Sequence, residues 1–169
     1  TRAQLGLDAP PVTVEVHLSA GLPGLAIVGL PEAAVRESKD RVRSALLNSG
    51  FEFPAQRITI NLAPADLPKE GGRYDLPIAL GLLAASRQIH SQALERLVVM
   101  GELALSGELT AVTGVLSASL ASAASGKTLV VPLAKAREAR LTPAPPVLAA
   151  PDLLALVRVS QSKAEQIQP

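Results

Sequence analysis

The sequence predicts an α+β domain of mixed α/β character. Three observations carry that expectation: strand patterns come first, in closely spaced pairs; helical segments then alternate with strands; and the whole fits within one core. The chain has 169 residues, 48% of them hydrophobic and only 2% aromatic, so the core has to be packed from Ala, Leu, Ile and Val.

The elements follow in order. Val12, Val14, Val16 and Leu18 alternate with Thr13, Glu15, His17 and Ser19, the period of a strand with one solvated face. Gly21, Pro23 and Gly24 mark a turn, and Leu25 to Val28 form a short apolar strand, so the two are expected to pair as an antiparallel hairpin. Pro31 to Ser49 reads as one helix: Pro31 and Glu32 suit its start, Val35, Val42, Ala45, Leu46 and Ser49 share a face, and Gly50 stops it. Arg57 to Leu62 is the next strand. After the loop APADLPKEGGRY, Asp75 is placed to cap an apolar helix over Leu76 to Ser86, where Pro77 is tolerated in the first turn.

In the second half, Leu97 to Leu105 and Glu108 to Val112 read as a hairpin turning at Ser106-Gly107. A helix over Gly114 to Ser125 ends at Gly126. A strand over Thr128 to Val131, a helix over Leu133 to Arg140, a strand over Pro146 to Leu148 and a helix over Pro151 to Val159 complete the pattern. Residues 160–169 read as a polar tail. Thr1 in place of Met, together with that tail, makes both ends read as cuts within a longer protein.

Composition removes several function classes. There is no cysteine, hence no disulfide, thiolate metal site or thiol nucleophile, which suits a cytosolic protein. The net charge of +1 denies the chain the broad positive field of a strong nucleic-acid binder, although a local basic patch remains open. No apolar run reaches the roughly 18 to 20 residues needed to span a bilayer, and no signal-peptide pattern opens the chain.

Candidate chemistry is sparse. Ala121 to Thr128 (ASAASGKT) fits a relaxed phosphate-loop string, but a helix precedes it and a strand follows, the reverse of what phosphate binding at a helix N-terminus needs. Its plainer reading is a helix end, with Gly126 just beyond the last turn. His17 and His90 have no metal-ligand spacing and read as surface histidines. The loop from Asp66 to Asp75 holds three carboxylates, but Lys69 and Arg73 stand among them and would neutralise a cation site. Local ion pairs, a helix cap or an interaction loop account for it. Arg36, Lys39 and Arg43 follow i, i+3, i+7 spacing and line one exposed helix face, either simply solvated or in contact with phosphates or a partner.

Three segments together carry a family resemblance: GLPGLAIVGLPEAAVRESKDRVRSAL (Gly21 to Leu46), ITINLAPADLPKEGGRYDLPIALGLLAAS (Ile58 to Ser86) and GELALSGELTAVTGVL (Gly101 to Leu116). They resemble the amino-terminal domain of the ComM/YifB proteins, magnesium-chelatase-like AAA+ ATPases, over nearly the whole chain to about Val159. The resemblance implies a Lon-protease-like fold for residues 1–159, with 160–169 beginning a linker to an ATPase module outside this chain. It implies a bacterial cytoplasmic parent, a hexameric ATP-driven helicase that moves DNA branches during natural transformation. ATP and magnesium would belong to that module, and no cofactor or metal is expected in this chain.

The same resemblance bears on catalysis. Gly101 to Gly107 followed by Gly114 is similar to the Lon stretch that carries the catalytic lysine, and an ungapped comparison puts Leu116 at the lysine and Thr113 at the first of its paired glycines. The Lon serine context is similar to Gly71-Gly72-Arg73-Tyr74-Asp75, with Arg73 at the serine. Leu has no amine and Arg no hydroxyl, so a Ser-Lys dyad is not expected. The expected function is then that of a non-catalytic accessory domain that guides DNA or supports ring assembly. Arg36, Lys39, Arg43, Lys69 and Arg73 are the candidate contacts with DNA or a partner. The alternatives are a pure assembly module, touching its own AAA+ module and neighbouring protomers, or a residual Lon-type serine hydrolase. No membrane contact is expected.

Overall fold

The computed structural model describes residues 1–143 and 145–167, with the side chains of 163–167 outside the description. It is mixed α+β, as the sequence predicts, and one continuous chain path builds two small three-stranded sheets and a two-stranded ribbon.

The first sheet contains β1 (Thr13–Ser19), β2 (Gly24–Val28) and β3 (Arg57–Ala63). The expected β1–β2 hairpin does not form: β3 lies between them, antiparallel to β1 and parallel to β2, with Thr59 opposite both His17 and Ala26. Burial explains the order. Ile58, Ile60 and Leu62 of β3 are fully enclosed and need neighbours on both sides, whereas the inward residues of β1 and β2 are only half-buried and tolerate an edge. The other face of the sheet carries Glu15, His17, Thr59 and Asn61, the alternation read in the sequence.

Two helices replace the expected single one: α1 (Ala33–Arg36) and α2 (Ser38–Asn48), with a turn at Glu37. At that junction Arg41 Nη2 donates to the Ala34 carbonyl at 2.8 Å. The predicted inner face is correct, with Val35, Val42, Ala45 and Leu46 fully buried. Gly29, just before, has φ +105°, and a Cβ there would stand 2.1 Å from the Leu62 carbonyl oxygen. The approach of β2's end to β3 therefore requires glycine.

A single 3-10 turn at Gly72–Tyr74 leads into α3 (Asp75–Ala85), nearly all of it buried. The Leu97–Leu105 segment is not one strand. β4 (Leu97–Val99) joins the second sheet, while β5 (Glu102–Leu103) pairs with β6 (Leu109–Thr110) in the expected hairpin. Between them Gly101 crosses the start of α3: its N–H donates to the Arg73 carbonyl and its own carbonyl accepts from Leu76 N, one of the donors a helix start leaves unpaired.

The second sheet is fully parallel, with β7 (Thr128–Pro132) between β4 and β8 (Val147–Ala150). β7 is buried on both faces: Leu129 and Val131 belong to one apolar cluster and Val130 to the other. That is why its sequence runs as continuous hydrophobics rather than alternating. α4 (Val115–Ser122) and α5 (Ala136–Ala139) cover one face. α6 (Leu153–Ile167) extends beyond Val159, where the sequence predicts its end, and buries Leu153, Leu156 and Val157 in the larger cluster. Among the described residues no helix is long and apolar enough to cross a membrane.

The phosphate-loop string is confirmed as a helix end. The end of α4 and a 3-10 turn occupy its first five residues, Gly126 adopts φ +71°, and β7 begins at Thr128.

Candidate functional site

The five cations singled out in the sequence divide into two groups. Arg36, on α1, and Lys39 and Arg43, on α2, are exposed. Lys39 and Arg43 are one helical turn apart and line a groove of about 390 Å³ between α2, the start of β2 and the segment 53–56. The Arg43 guanidinium carbon lies 5.3 Å from the centre of the Phe53 ring, within cation–π range. Leu25 and Leu47 add apolar wall and Asp40 one carboxylate. Arg36 lies outside this groove, its Nε turned back to the Pro31 carbonyl at 3.4 Å. The groove thus presents two cations around a half-buried ring, an arrangement suited to a phosphate and a flat apolar group side by side.

Lys69 and Arg73 belong to the interior instead. Lys69 is 0% exposed; its amine donates to the Pro64 carbonyl, and burial pushes it below the usual lysine range. Its backbone is pinned as well, exchanging hydrogen bonds with Leu30 and Glu32. Arg73 is 6% exposed and donates through Nη2 to the Thr113 carbonyl at 2.8 Å and to Gln4 Oε1 at 3.2 Å. Neither therefore joins the exposed cations of the helix face: Lys69 is enclosed, and Arg73 meets only a cleft beside Thr113. The loop itself stays largely at the surface, with Asp66, Pro68, Glu70 and Gly71 exposed, while its Lys69 and Arg73 side chains turn inward.

The polar centre of the molecule went unread in the sequence. Asp75, fully buried at the start of α3, is not a cap for its helix. Its Oδ1 accepts from Ser38 Oγ at 2.5 Å and from Arg41 Nη2 at 3.1 Å, and its Oδ2 accepts from Arg41 Nε at 2.7 Å and from Leu103 N at 3.0 Å. Glu102 Oε1 stands 3.9 Å from Arg41 Nε. One carboxylate thereby ties α2, α3 and β5 together, and each tie lies in one of the three segments that carry the family resemblance. The loop's expected local ion pairs are absent among the described residues: Asp75 pairs across elements with Arg41 rather than with Lys69 or Arg73. Ser38 is sealed inside this arrangement and offers a substrate no access.

Tyr74, the sole tyrosine, is buried with its hydroxyl lacking a hydrogen-bond partner among the described residues, and burial pushes its pKa up to about 12. His17 and His90 are exposed, as read. Among the described residues no group of three or more His, Asp or Glu side chains is placed to hold a metal.

Comparison with known proteins adds the family. Residues 14–135 match the family described as subunit ChlI of Mg-chelatase. The chain is 61% identical over 131 residues to the uncharacterized protein YifB of Escherichia coli, covering 78% of this chain and 26% of the relative. It is 56% identical over 141 residues to competence protein ComM of Haemophilus influenzae, covering 83% and 28%. An uncharacterized protein of Mycobacterium tuberculosis is 44% identical over 137 residues, covering 80% and 27%. The chain spans about a quarter of the length of these curated relatives. On the match to the family description and on these identities, the chain belongs to the ComM/YifB family of magnesium-chelatase-like proteins.

Proposed function

We propose that this chain is the non-catalytic amino-terminal accessory domain of a ComM-type AAA+ ATPase of the bacterial cytoplasm, and that it guides DNA through the Lys39–Arg43–Phe53 groove. The observation that carries the reading is the convergence of two exposed cations and a half-buried ring on one face, in a chain of only three aromatic residues. ATP and magnesium would be used by an ATPase module outside this chain. In a ring of protomers weak phosphate contacts add by avidity, so two or three cations per copy suffice. Charge reversal at Lys39 and Arg43 in the full-length protein tests it: DNA affinity falls and its salt dependence flattens.

The Lon-like reading of the fold has support of its own. Arg73 touches Thr113, so the segments that resemble the nucleophile and base regions of Lon lie side by side. Neither Arg73 nor Leu116 has the chemistry of a Ser-Lys dyad.

A role in ring assembly is favoured by a separate feature. Leu116 is 37% and Leu120 60% exposed, one helical turn apart on α4, an apolar stripe suited to a neighbouring protomer or to the ATPase module. Leu120→Glu in the full-length protein should lower its oligomeric mass while leaving DNA contacts intact.

A further inference from the structure

A polar cleft of about 420 Å³ opens between the N-terminal segment, the 70–74 loop and Thr113. Its floor holds a buried cation without a counter-charge: among the described residues no carboxylate lies within ion-pair distance of Arg73. The guanidinium is only half used. Nη2 bonds Thr113 and Gln4, while Nη1 has no hydrogen-bond partner among the described residues, and Tyr74, which lines the same cleft, has a buried hydroxyl with none either. Enclosing an uncompensated charge and unpaired donors is unfavourable, and an anion relieves both.

The place for an anionic oxygen is already outlined. Gln4 Oε1 accepts from Thr113 Oγ1 at 2.9 Å and from Arg73 Nη2 at 3.2 Å, so donors from two segments converge on one neutral acceptor. Gln4 is itself exposed, and a side chain held at the surface by two hydrogen bonds is readily displaced. Gly71 adds no side chain to the cleft, and a Cβ there would meet nothing within 4 Å, leaving room for a group larger than the carboxamide. Glu70 lines the rim, exposed and turned toward Glu32, whose carboxyl is held above the usual range by desolvation first and by Glu70 second.

We propose that this cleft binds a phosphate-type oxyanion, which displaces the Gln4 carboxamide and is held by the Arg73 guanidinium and the Thr113 hydroxyl. A guanidinium and a hydroxyl aimed at one oxygen make charge-assisted hydrogen bonds that a neutral amide cannot match.

Inorganic phosphate is the probe. Titrated into the 169-residue chain at constant ionic strength, it should give saturable heat by calorimetry and a saturable rise in Tm, while acetate at the same ionic strength gives neither. Gln4→Ala should tighten phosphate binding several-fold by removing the competitor. Gln4→Glu should abolish it and raise Tm by itself, because its carboxylate takes the same position. Thr113→Val and Arg73→Lys should weaken it. Should Arg73→Lys fail to fold, Gln4→Glu and Thr113→Val, both changed at the cleft mouth, still decide. The proposal is overturned if phosphate produces no saturable effect, if acetate binds equally well, or if Gln4→Glu binds phosphate like the parent chain.

Discussion

Arg41 and Asp75 lie on different helices, and Arg41 Nε donates to Asp75 Oδ2 at 2.7 Å while the same oxygen accepts from the backbone N–H of Leu103. Asp75 is fully enclosed, so its charge is compensated by Arg41, Ser38 and one main-chain donor. Removing a partner from such a pair leaves a buried charge behind. Asp75→Ala should therefore lower the stability of the chain by about 3 kcal/mol, and Arg41→Met by a similar amount. Ser38→Ala, which removes one neutral donor, should cost only about 1 kcal/mol. Urea unfolding of the three variants checks the ranking.

The alkaline limb of the stability curve should report Tyr74. Its native pKa is raised to about 12 by burial, above the unfolded value near 10, so the native state holds the proton more tightly. The stability this contributes is intact below about pH 10 and is lost as pH rises toward 12. Lys69 acts in the opposite sense, since burial lowers its pKa and the unfolded chain holds that proton longer. The difference between the parent chain and Tyr74→Phe isolates the tyrosine: the gap between them should move against the parent above pH 10. At neutral pH Tyr74→Phe should be neutral or stabilising by up to about 1 kcal/mol, because the hydroxyl it removes is buried without a partner. As the chain has one tyrosine, its phenolate absorbance follows the same titration directly.

Two glycines should respond differently to alanine. At Gly29 the new Cβ would meet the Leu62 carbonyl at 2.1 Å, on backbone with φ +105°. Neither strand can give way without breaking the β2–β3 pairing, so Gly29→Ala should cost more than about 2 kcal/mol. At Gly72 the obstacle is the side chain of Glu102, at 2.5 Å but flexible and 40% exposed. Gly72→Ala should be markedly milder. Thermal unfolding of the pair separates the two cases.

What the sequence revealed was local. The alternation of β1, the apolar face of α2, the burial of α3 and the helix end at Gly126 depend on neighbours within a few residues, and each was legible. The strand pairing was not, because whether β2 joins β1 or β3 depends on which strand most needs cover on both sides, a property of Ile58, Ile60 and Leu62 in three dimensions. The site was harder still. Arg41 sits between Lys39 and Arg43 with the same residue chemistry, and only the fold turns it toward Asp75 while its neighbours face the groove. Lys69 and Arg73 lie in a loop whose composition signals solvent; Lys69 turns back on Pro64 five residues earlier, and Arg73 is held by the distant Gln4 and Thr113.

The central claim, that Lys39 and Arg43 beside Phe53 meet DNA, is tested most directly by a salt titration of binding to branched and duplex DNA. It is run with this chain and with the full-length protein, each as parent and as Lys39→Glu/Arg43→Glu. The account predicts salt-dependent binding whose log–log slope falls by about one unit per lost phosphate contact in the double variant, with folding unchanged. Salt-independent or absent binding by the chain, together with unaltered DNA affinity of the full-length double variant, would contradict it.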